Sequence, residues 1–294
     1  MMRSVYPLLL LLLASAVACA QTAEPPMETL TLADGDSGSE WVPAEATMEP
    51  DDTHSRDGRA MHFHIDVNHE TGQPDYPIGW PRTYLQVPED IQDWSDWDFI
   101  GFSLYAETSR EQFPDTALGF IVRSPDRNQQ WQTNLSPEKG GWVDFRFELS
   151  NVPNLEEVRA VQFYISESNY NHGDVLDFWI DDLVLLRYAE PTIINMQPLS
   201  HLHYADSDVI RVEVELTGME DGESVEVLSR LLHDGSAIRQ SSARLGPGVS
   251  TIPLQIGGGL SPGEYEVQAE VVGTDYTLSE PMRVISSPFE EEAR

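Results

Sequence analysis

The chain has 294 residues, of which 50 are acidic and 17 basic, and its formal net charge is −33. Nucleic acids and anionic lipid surfaces bind proteins through basic patches, so this charge balance excludes both as partners bound by charge. The chain is 40% apolar and 9% aromatic, which is typical of a globular protein and excludes a disordered acidic tail.

The strong negative charge has three alternative explanations. It is typical of proteins adapted to salty water, because salt screens the self-repulsion of an acidic surface. It is equally typical of an ordinary, well-hydrated surface. Acidic loops can also collect calcium, which prefers oxygen ligands.

Residues 1–20 are predicted to form a signal peptide, because an apolar run at 8–13 is followed by the small residues 16–18. The run is too short to span a membrane. Ordinary signal peptidase would cut after Ala20, whereas residues 16–19 resemble a bacterial lipobox in which Cys19 becomes the acylated N-terminus. Export is expected either way, to the cell envelope on a lipid anchor or to the medium. Cys19 is the only cysteine, so no internal disulfide is expected.

A short linker at 21–26 precedes a predicted domain at 27–188. Apolar and polar residues alternate in several runs separated by turn residues, which is typical of strands. The predicted strands cover 59–67, 99–106, 118–122, 143–149, 161–165 and 178–186, and one helical turn is expected at 155–159. Many short strands with frequent turns predict a β-sandwich or jelly roll.

A second domain is predicted at 189–286, beginning near Glu190-Pro191 and followed by a polar tail at 287–294. Its predicted strands cover 193–199, 209–216, 224–232, 236–245, 250–256, 263–272 and 281–285. Seven strands in under 100 residues favour an immunoglobulin-like or fibronectin-like sandwich. The expected fold class is therefore all-β, with a jelly-roll sandwich followed by an immunoglobulin-like one.

Three segments of the first domain carry a family resemblance. They are Leu32–Asp36 with Trp41 and Ser55–Ala60, then Asp93–Phe102, and finally Gly141-Trp142 with Val161–Ile165 and Phe178–Leu183. In this order they resemble bacterial carbohydrate-binding modules with a galactose-binding-like jelly roll. The resemblance implies a fold that hosts sugar binding, accessory roles in enzymes and protein contacts alike.

The same resemblance implies a structural calcium ion. In related modules an aspartate of the closing strand helps to hold calcium near the N-terminal strand, and Asp181 matches that position. Asp34, Asp36 and Asp57 lie in loops that could approach it, and calcium takes six to eight oxygen ligands. Ala33 stands where the family often has an acidic residue. Aspartates in such loops otherwise form turns and caps.

A glycan-binding face is predicted from polar and aromatic residues that alternate with the apolar ones. Sugars need flat rings for stacking and planar polar groups for their hydroxyls. On one concave sheet these side chains would form a cleft, with the loop at 76–82 and Tyr84 as its rim. The predicted ligand-binding residues are Trp80, Tyr84, Tyr105, Arg123, Trp131, Arg146, Gln162 and Tyr164. Taken singly, each has an ordinary structural explanation.

One strand face carries the residue types of a metal site, whereas no catalytic motif stands out. His62, His64 and Asp66 point from one strand face, but next-but-one residues lie about 6.5–7 Å apart and a fourth zinc ligand is missing. No carboxylate pair, nucleophile elbow or phosphate loop stands out.

We therefore expect an exported, non-catalytic protein that binds a polysaccharide or other glycan. The alternatives are a structural or adhesive surface protein that binds another protein, and a glycoside-active enzyme.

Overall fold

The protein is described by a computed structural model that covers residues 24–70, 78–126, 129–220, 222–257 and 259–288. The predicted signal peptide, Cys19 and part of the predicted loop at 76–82 lie outside these residues. The described chain divides into two compact units, Pro26–Glu190 and the part that follows from Pro191. None of its helices is long and apolar enough to cross a membrane.

The first unit contains eleven of the described strands. They are β1 (Met27–Ala33), β2 (Trp41–Ala44), β3 (Thr47–Asp51), β4 (Ala60–Asp66), β5 (Arg82–Gln86), β6 (Phe99–Thr108), β7 (Leu118–Arg123), β8 (Trp131–Leu135), β9 (Trp142–Glu148), β10 (Ala160–Tyr164) and β11 (Val175–Tyr188). Short 3-10 helices cover Glu89–Ile91, Leu149–Asn151, Leu155–Glu157 and Glu167–Asn169.

These strands form two antiparallel sheets. The first sheet has the order β3-β4-β11-β6-β9, with β1 also paired to β11, and the second has the order β2-β5-β10-β7-β8. Phe102 of the first sheet packs against Phe120 and Phe163 of the second, with ring centroids 4.9 and 5.1 Å apart. The sheets therefore enclose one apolar core between them. The side chains that alternate with the core residues form the outer face of each sheet.

The second unit contains the remaining described strands. They are β12 (Thr192–Pro198), β13 (Leu202–Tyr204), β14 (Val209–Thr217), β15 (Val225–His233), β16 (Ser236–Leu245), β17 (Gly248–Gln255), β18 (Gly263–Val271) and β19 (Thr277–Ile285). One sheet has the order β12-β14-β17, and the other has the order β13-β19-β18-β15-β16. Both contribute to a separate apolar core that includes Val212, Val227 and Val267.

The predicted all-β class is confirmed. The strands predicted in both units are present with ends shifted by a few residues, and the turn expected at 155–159 is the 3-10 helix Leu155–Glu157. No bounds were predicted for the strands β1, β2, β3, β5, β8 and β13. In β5 the alternation is complete, since Thr83 and Leu85 are buried while Tyr84 and Gln86 are not. The finer jelly-roll and immunoglobulin-like assignments stay predictions.

Candidate functional site

The outer face of the second sheet is formed by side chains that alternate with core residues on β5, β10 and β7. Tyr84 pairs with Gln162 across β5 and β10, and Arg82 pairs with Tyr164 on the same two strands. On the far side of β10, Arg123 lies opposite Ala160. We call this surface the arginine face, and it consists of Arg82, Tyr84, Gln86, Ile121, Arg123, Ala160, Gln162 and Tyr164, with Trp80 and Arg159 at its margins.

A cavity of about 380 Å³ opens on the arginine face. Ala160 lies in its floor between Gln86 and Arg123, and its small side chain leaves the space above it free. The described residues that line the cavity are Arg82, Tyr84, Gln86, Arg123, Ser124, Pro125, Arg159, Ala160 and Gln162. They include three arginines and no carboxylate.

The three arginines are held by different partners. The Arg123 guanidinium donates a hydrogen bond to the amide oxygen of Gln162, whose side chain is only 4% exposed. Arg82 donates to the backbone carbonyl of Trp80 at 3.1 Å. Arg159 forms an exposed ion pair with Glu157. Among the described residues, Arg82 has a backbone carbonyl and no carboxylate as its hydrogen-bond partner.

An aromatic pair flanks the cavity. The rings of Trp80 and Tyr164 stack with centroids 6.0 Å apart and planes inclined by 16°. Tyr164 lies across Gly119, where an added Cβ would come within 2.2 Å of the tyrosine ring. A glycine at this position lets the ring lie flat on the sheet. Trp80 is 52% exposed, so it offers an aromatic surface to solvent.

The backbone beneath Trp80 is fixed by two carboxylates. The Trp80 N–H donates to Glu45 Oε2 at 2.8 Å, and the Gly79 N–H donates to Glu167 Oε2 at 2.7 Å. Glu167 is only 4% exposed, and its other oxygen accepts the Asn68 N–H at 2.9 Å. A large exposed ring on a firmly held backbone loses little conformational freedom when it binds.

The outer face of the first sheet has a different chemistry. His62 and His64 point outward from β4, and Asp177 and Trp179 lie beside them on β11. We call this surface the histidine face, and it consists of Asp51, His62, His64, Asp66, Tyr105, Asp177 and Trp179. His62 Nε2 and His64 Nδ1 lie 2.8 and 2.7 Å from the same oxygen of Asp177.

The histidine face shifts the pKa values of its own groups. Burial opposes the charged form of His64, but the hydrogen bond and charge of Asp177, helped by Asp66, outweigh it and raise the pKa of His64. Burial likewise opposes ionisation of Asp177, yet hydrogen bonds from His62 and His64 lower the pKa of that carboxyl. Both shifts favour a protonated His64 beside an ionised Asp177.

The structure separates the predicted glycan-binding residues onto two sheets. Gln162, Tyr164, Arg123, Tyr84 and Trp80 belong to the arginine face, and Tyr84 lies on β5 and not in a loop. The remaining three lie elsewhere and cannot line the same cleft.

Tyr105 and Arg146 lie on the first sheet, on β6 and β9. The Tyr105 ring is covered by His54 at a centroid distance of 4.0 Å. Trp131 faces the core, where its ring contacts Phe120 and Phe147. Placing all eight side chains on one concave sheet was wrong, because alternation gives the side of a strand and not the sheet to which it belongs.

The predicted calcium ligands are brought near one another only in part. Asp181 is 1% exposed and accepts the backbone N–H groups of Arg56 and Asp182. Burial raises the pKa of Asp182, and the charges of Asp181, Asp34 and Asp57 raise it further. Asp36 instead pairs with Arg59 at 2.8 Å. Asp182, which was not among the predicted ligands, therefore lies near three of them.

Comparisons with known proteins give no family. No family model matches the chain, and no curated protein matches it. The chain is similar, at 12% identity and a TM-score of 0.35, to CBM27-1 of Caldicellulosiruptor saccharolyticus in complex with mannohexaose, over 54% of this chain and 96% of that one.

Two sugar-active enzymes are also similar to parts of the chain. A β-1,2-glucanase from Parabacteroides distasonis has 12% identity and a TM-score of 0.38 over 90% of this chain, and the Endo-D glycoside hydrolase domain of Streptococcus pneumoniae has 10% and 0.29 over 83%. The chain spans 37% of each enzyme. Function is therefore inferred from the chain's own residues.

Proposed function

We propose that the protein binds an acidic glycan, one with uronate or sulfate groups, on the arginine face. The observation that carries this proposal is the cavity at Ala160, which collects Arg82, Arg123 and Arg159 in a chain with only 17 basic residues and a net charge of −33. Guanidinium groups bind carboxylates and sulfates through parallel hydrogen bonds. A neutral sugar would leave this concentration of positive charge unused.

The aromatic pair beside the cavity suits the sugar ring. Carbohydrates present flat patches of C–H groups that stack on aromatic side chains, and Trp80 offers such a surface next to Tyr164. Tyr84 adds a hydroxyl for sugar hydroxyls, and Gln162 holds the Arg123 guanidinium beside them. Because the cavity is open to water, we expect modest affinity.

The cavity favours binding over hydrolysis. Glycoside hydrolysis uses a pair of carboxyl groups on either side of the scissile bond. None of the described residues that line the cavity is an aspartate or glutamate. We therefore propose a non-catalytic role, and a pure protein-binding surface is the alternative that the experiment below addresses.

Export belongs to the same proposal. The apolar run at 8–13 and the small residues before Cys19 support a cleaved signal peptide, with either acylation of Cys19 or release after Ala20. Mass spectrometry of the mature N-terminus distinguishes the two. An unmodified chain that begins at Gln21 would refute the lipid anchor.

We also propose the jelly-roll and immunoglobulin-like assignments, and a structural calcium ion near Asp181. The mutual repulsion of Asp34, Asp57, Asp181 and Asp182 would be relieved by a cation. Calcium should raise the melting temperature of the first unit in the full chain, and a chelator should reverse this rise. Identical melting curves with calcium and with chelator would refute it.

The central test is a binding screen with matched acidic and neutral oligosaccharides. Isothermal titration of the full chain with an oligouronate, a sulfated oligosaccharide and neutral oligosaccharides of the same length should give binding only for the acidic ones, weakened by added salt. Binding of neutral sugars with equal affinity would overturn the acidic preference. Failure of every sugar tested would favour a protein partner.

A further inference from the structure

The histidine face contains a cluster of side chains that the proposed glycan site does not use. Within the described chain, His62, His64 and Asp177 form the one group of at least three histidine, cysteine or carboxylate side chains whose ligand atoms all lie within 4.8 Å of one another. All three are partly buried, with side-chain exposures of 16, 33 and 24%. We propose that this cluster binds one divalent transition-metal ion, with zinc as the model ion.

The first argument is the geometry of the three ligand atoms. His62 Nε2 and His64 Nδ1 converge on Asp177 Oδ1 at 2.8 and 2.7 Å. Ligands of a tetrahedral zinc ion about 2.1 Å from the metal lie roughly 3.4 Å apart. The two N–O pairs therefore have to open by only about 0.6–0.7 Å, and the two ring nitrogens already lie within 4.8 Å of each other. Two imidazoles and one carboxylate are a ligand set that suits zinc and its neighbours, with water in the fourth position.

The second argument is the partner of each outer ring nitrogen. His62 Nδ1 lies 3.6 Å from Asp51 Oδ2, and His64 Nε2 lies 3.5 Å from Asp66 Oδ2. A metal-bound histidine usually donates its other N–H to a carboxylate, which fixes the tautomer and orients the ring. In the metal-bound form each neutral imidazole would offer the lone pair that faces Asp177 and keep its proton on the nitrogen that faces Asp51 or Asp66.

The third argument is that the residues that contact the cluster, Trp179 and Asp51, are themselves fixed by stacking and hydrogen bonds. The His62 ring stacks on Trp179 with centroids 4.4 Å apart and planes inclined by 3°. Asp51 accepts hydrogen bonds from the Thr53 N–H at 2.6 Å and from Trp179 Nε1 at 3.3 Å. The ligands come from adjacent strands, β4 and β11, and not from loops. Rigid strands position metal ligands with little loss of entropy on binding.

Electrostatics favours a cation at this position. Asp51, Asp66 and Asp177 place three carboxylates around two imidazoles, in a chain whose net charge is −33. A divalent ion would offset this charge directly. The negative field of the whole chain would also raise the local concentration of cations near the face.

The experiment uses the full chain, freed of metal by a chelator and then titrated with zinc against a competing chromophoric chelator. We expect one tight zinc ion per chain. His64→Gln and His62→Gln should each lose this tight binding, and Asp51→Asn should weaken it about 10–100-fold. His201→Gln, an exposed histidine in the second unit, is the matched control and should bind zinc like the wild type.

Two results would overturn the proposal. One is the absence of a tight site in the wild type, and the other is unchanged binding in the His62 and His64 variants, which would leave the cluster a hydrogen-bond network. If a variant fails to fold, cobalt in the wild-type chain decides the question. The visible absorption of a tetrahedral site supports the proposal, and the spectrum of fully hydrated cobalt refutes it.

Discussion

The two outer faces of the first unit are built by the same rule and carry opposite chemistry. In both sheets, core residues alternate with outward ones, as Phe63 does with His62 and His64, and as Phe163 does with Gln162 and Tyr164. One face collects arginines and stacked aromatic rings around an open cavity, whereas the other collects histidines and carboxylates. The sandwich therefore separates the surface that we propose to bind anions from the one that we propose to bind a cation by the thickness of a single core.

The net charge of the chain gives no sign that the arginine face and the histidine face differ in charge. With a charge of −33, the chain as a whole repels acidic polymers. Screening at physiological salt limits that repulsion to about 8 Å, so three arginines at short range can still bind an anionic group. We therefore expect local charge, and not the total, to decide which partner each face accepts.

The largest expected effect comes from reversing the charge of one face. Arg82→Glu combined with Arg159→Glu should weaken binding of an acidic oligosaccharide at least about a hundredfold, because two charge-assisted contacts become repulsive. Arg146→Glu on the other face is the matched control and should stay within about twofold. Titration calorimetry measures the affinity of the double variant, the control variant and the wild type. Equal losses in the control would mean that overall charge, and not the arginine face, governs binding.

A second way to test the comparison is to remove the exposed ring. Trp80→Ala should weaken binding about tenfold, since a rigid, half-exposed aromatic ring is the kind of residue that dominates binding surfaces. The melting temperature should change little, because the side chain is 52% exposed. Binding like that of the wild type would move the sugar away from the Trp80–Tyr164 pair.

A smaller loss is expected from one methyl group beneath the pair. Gly119→Ala would bring a Cβ within 2.2 Å of the Tyr164 ring, so the ring must lift and the stack with Trp80 must shift. We expect binding several-fold weaker in the same titration. Gly101→Ala on β6 of the other sheet is the control, since its Cβ meets nothing closer than 3.4 Å. Equal effects of both variants would indicate general destabilisation.

The smallest expected effect is a gain in affinity for the acidic sugar. Glu157 pairs with Arg159 and competes with an anionic ligand for its guanidinium. Glu157→Gln should therefore strengthen acidic-sugar binding by a few-fold, in keeping with the modest energy of exposed ion pairs. Neutral sugars should be unaffected. A weaker affinity for the acidic sugar would show that Glu157 positions Arg159 for binding.

In the strands that were predicted, alternation identified the side that faces the core but not the sheet that each strand joins. Trp131, on the unpredicted strand β8, was placed on the wrong side. Tyr105 and Tyr164 have the same alternating pattern, yet β6 and β10 belong to different sheets. Sheet membership depends on pairing between distant segments, which no local pattern records. The strand β5 was missed because it begins directly after Pro81, in a stretch that resembles a loop.

The histidine cluster also depends on strand pairing that no local sequence pattern shows. The spacing of His62 and His64 is visible in the sequence, but their shared partner Asp177 lies 113 residues beyond His64 and reaches it only through the pairing of β4 with β11. Arg159 was likewise missed, because it follows a polar turn and nothing local relates it to Arg123. A backbone hydrogen bond between the two, 2.8 Å long, brings these segments together.

The most direct test of acidic-glycan binding at the arginine face follows the indole N–H signals of the tryptophans by NMR. An acidic oligosaccharide is added during the measurement. Trp80 lies on the arginine face, whereas Trp142 and Trp179 lie on the first sheet. Substitution of each by phenylalanine assigns its signal. We expect the Trp80 signal to shift with saturation while those of Trp142 and Trp179 stay in place. Shifts of Trp142 or Trp179 with Trp80 unchanged would contradict it.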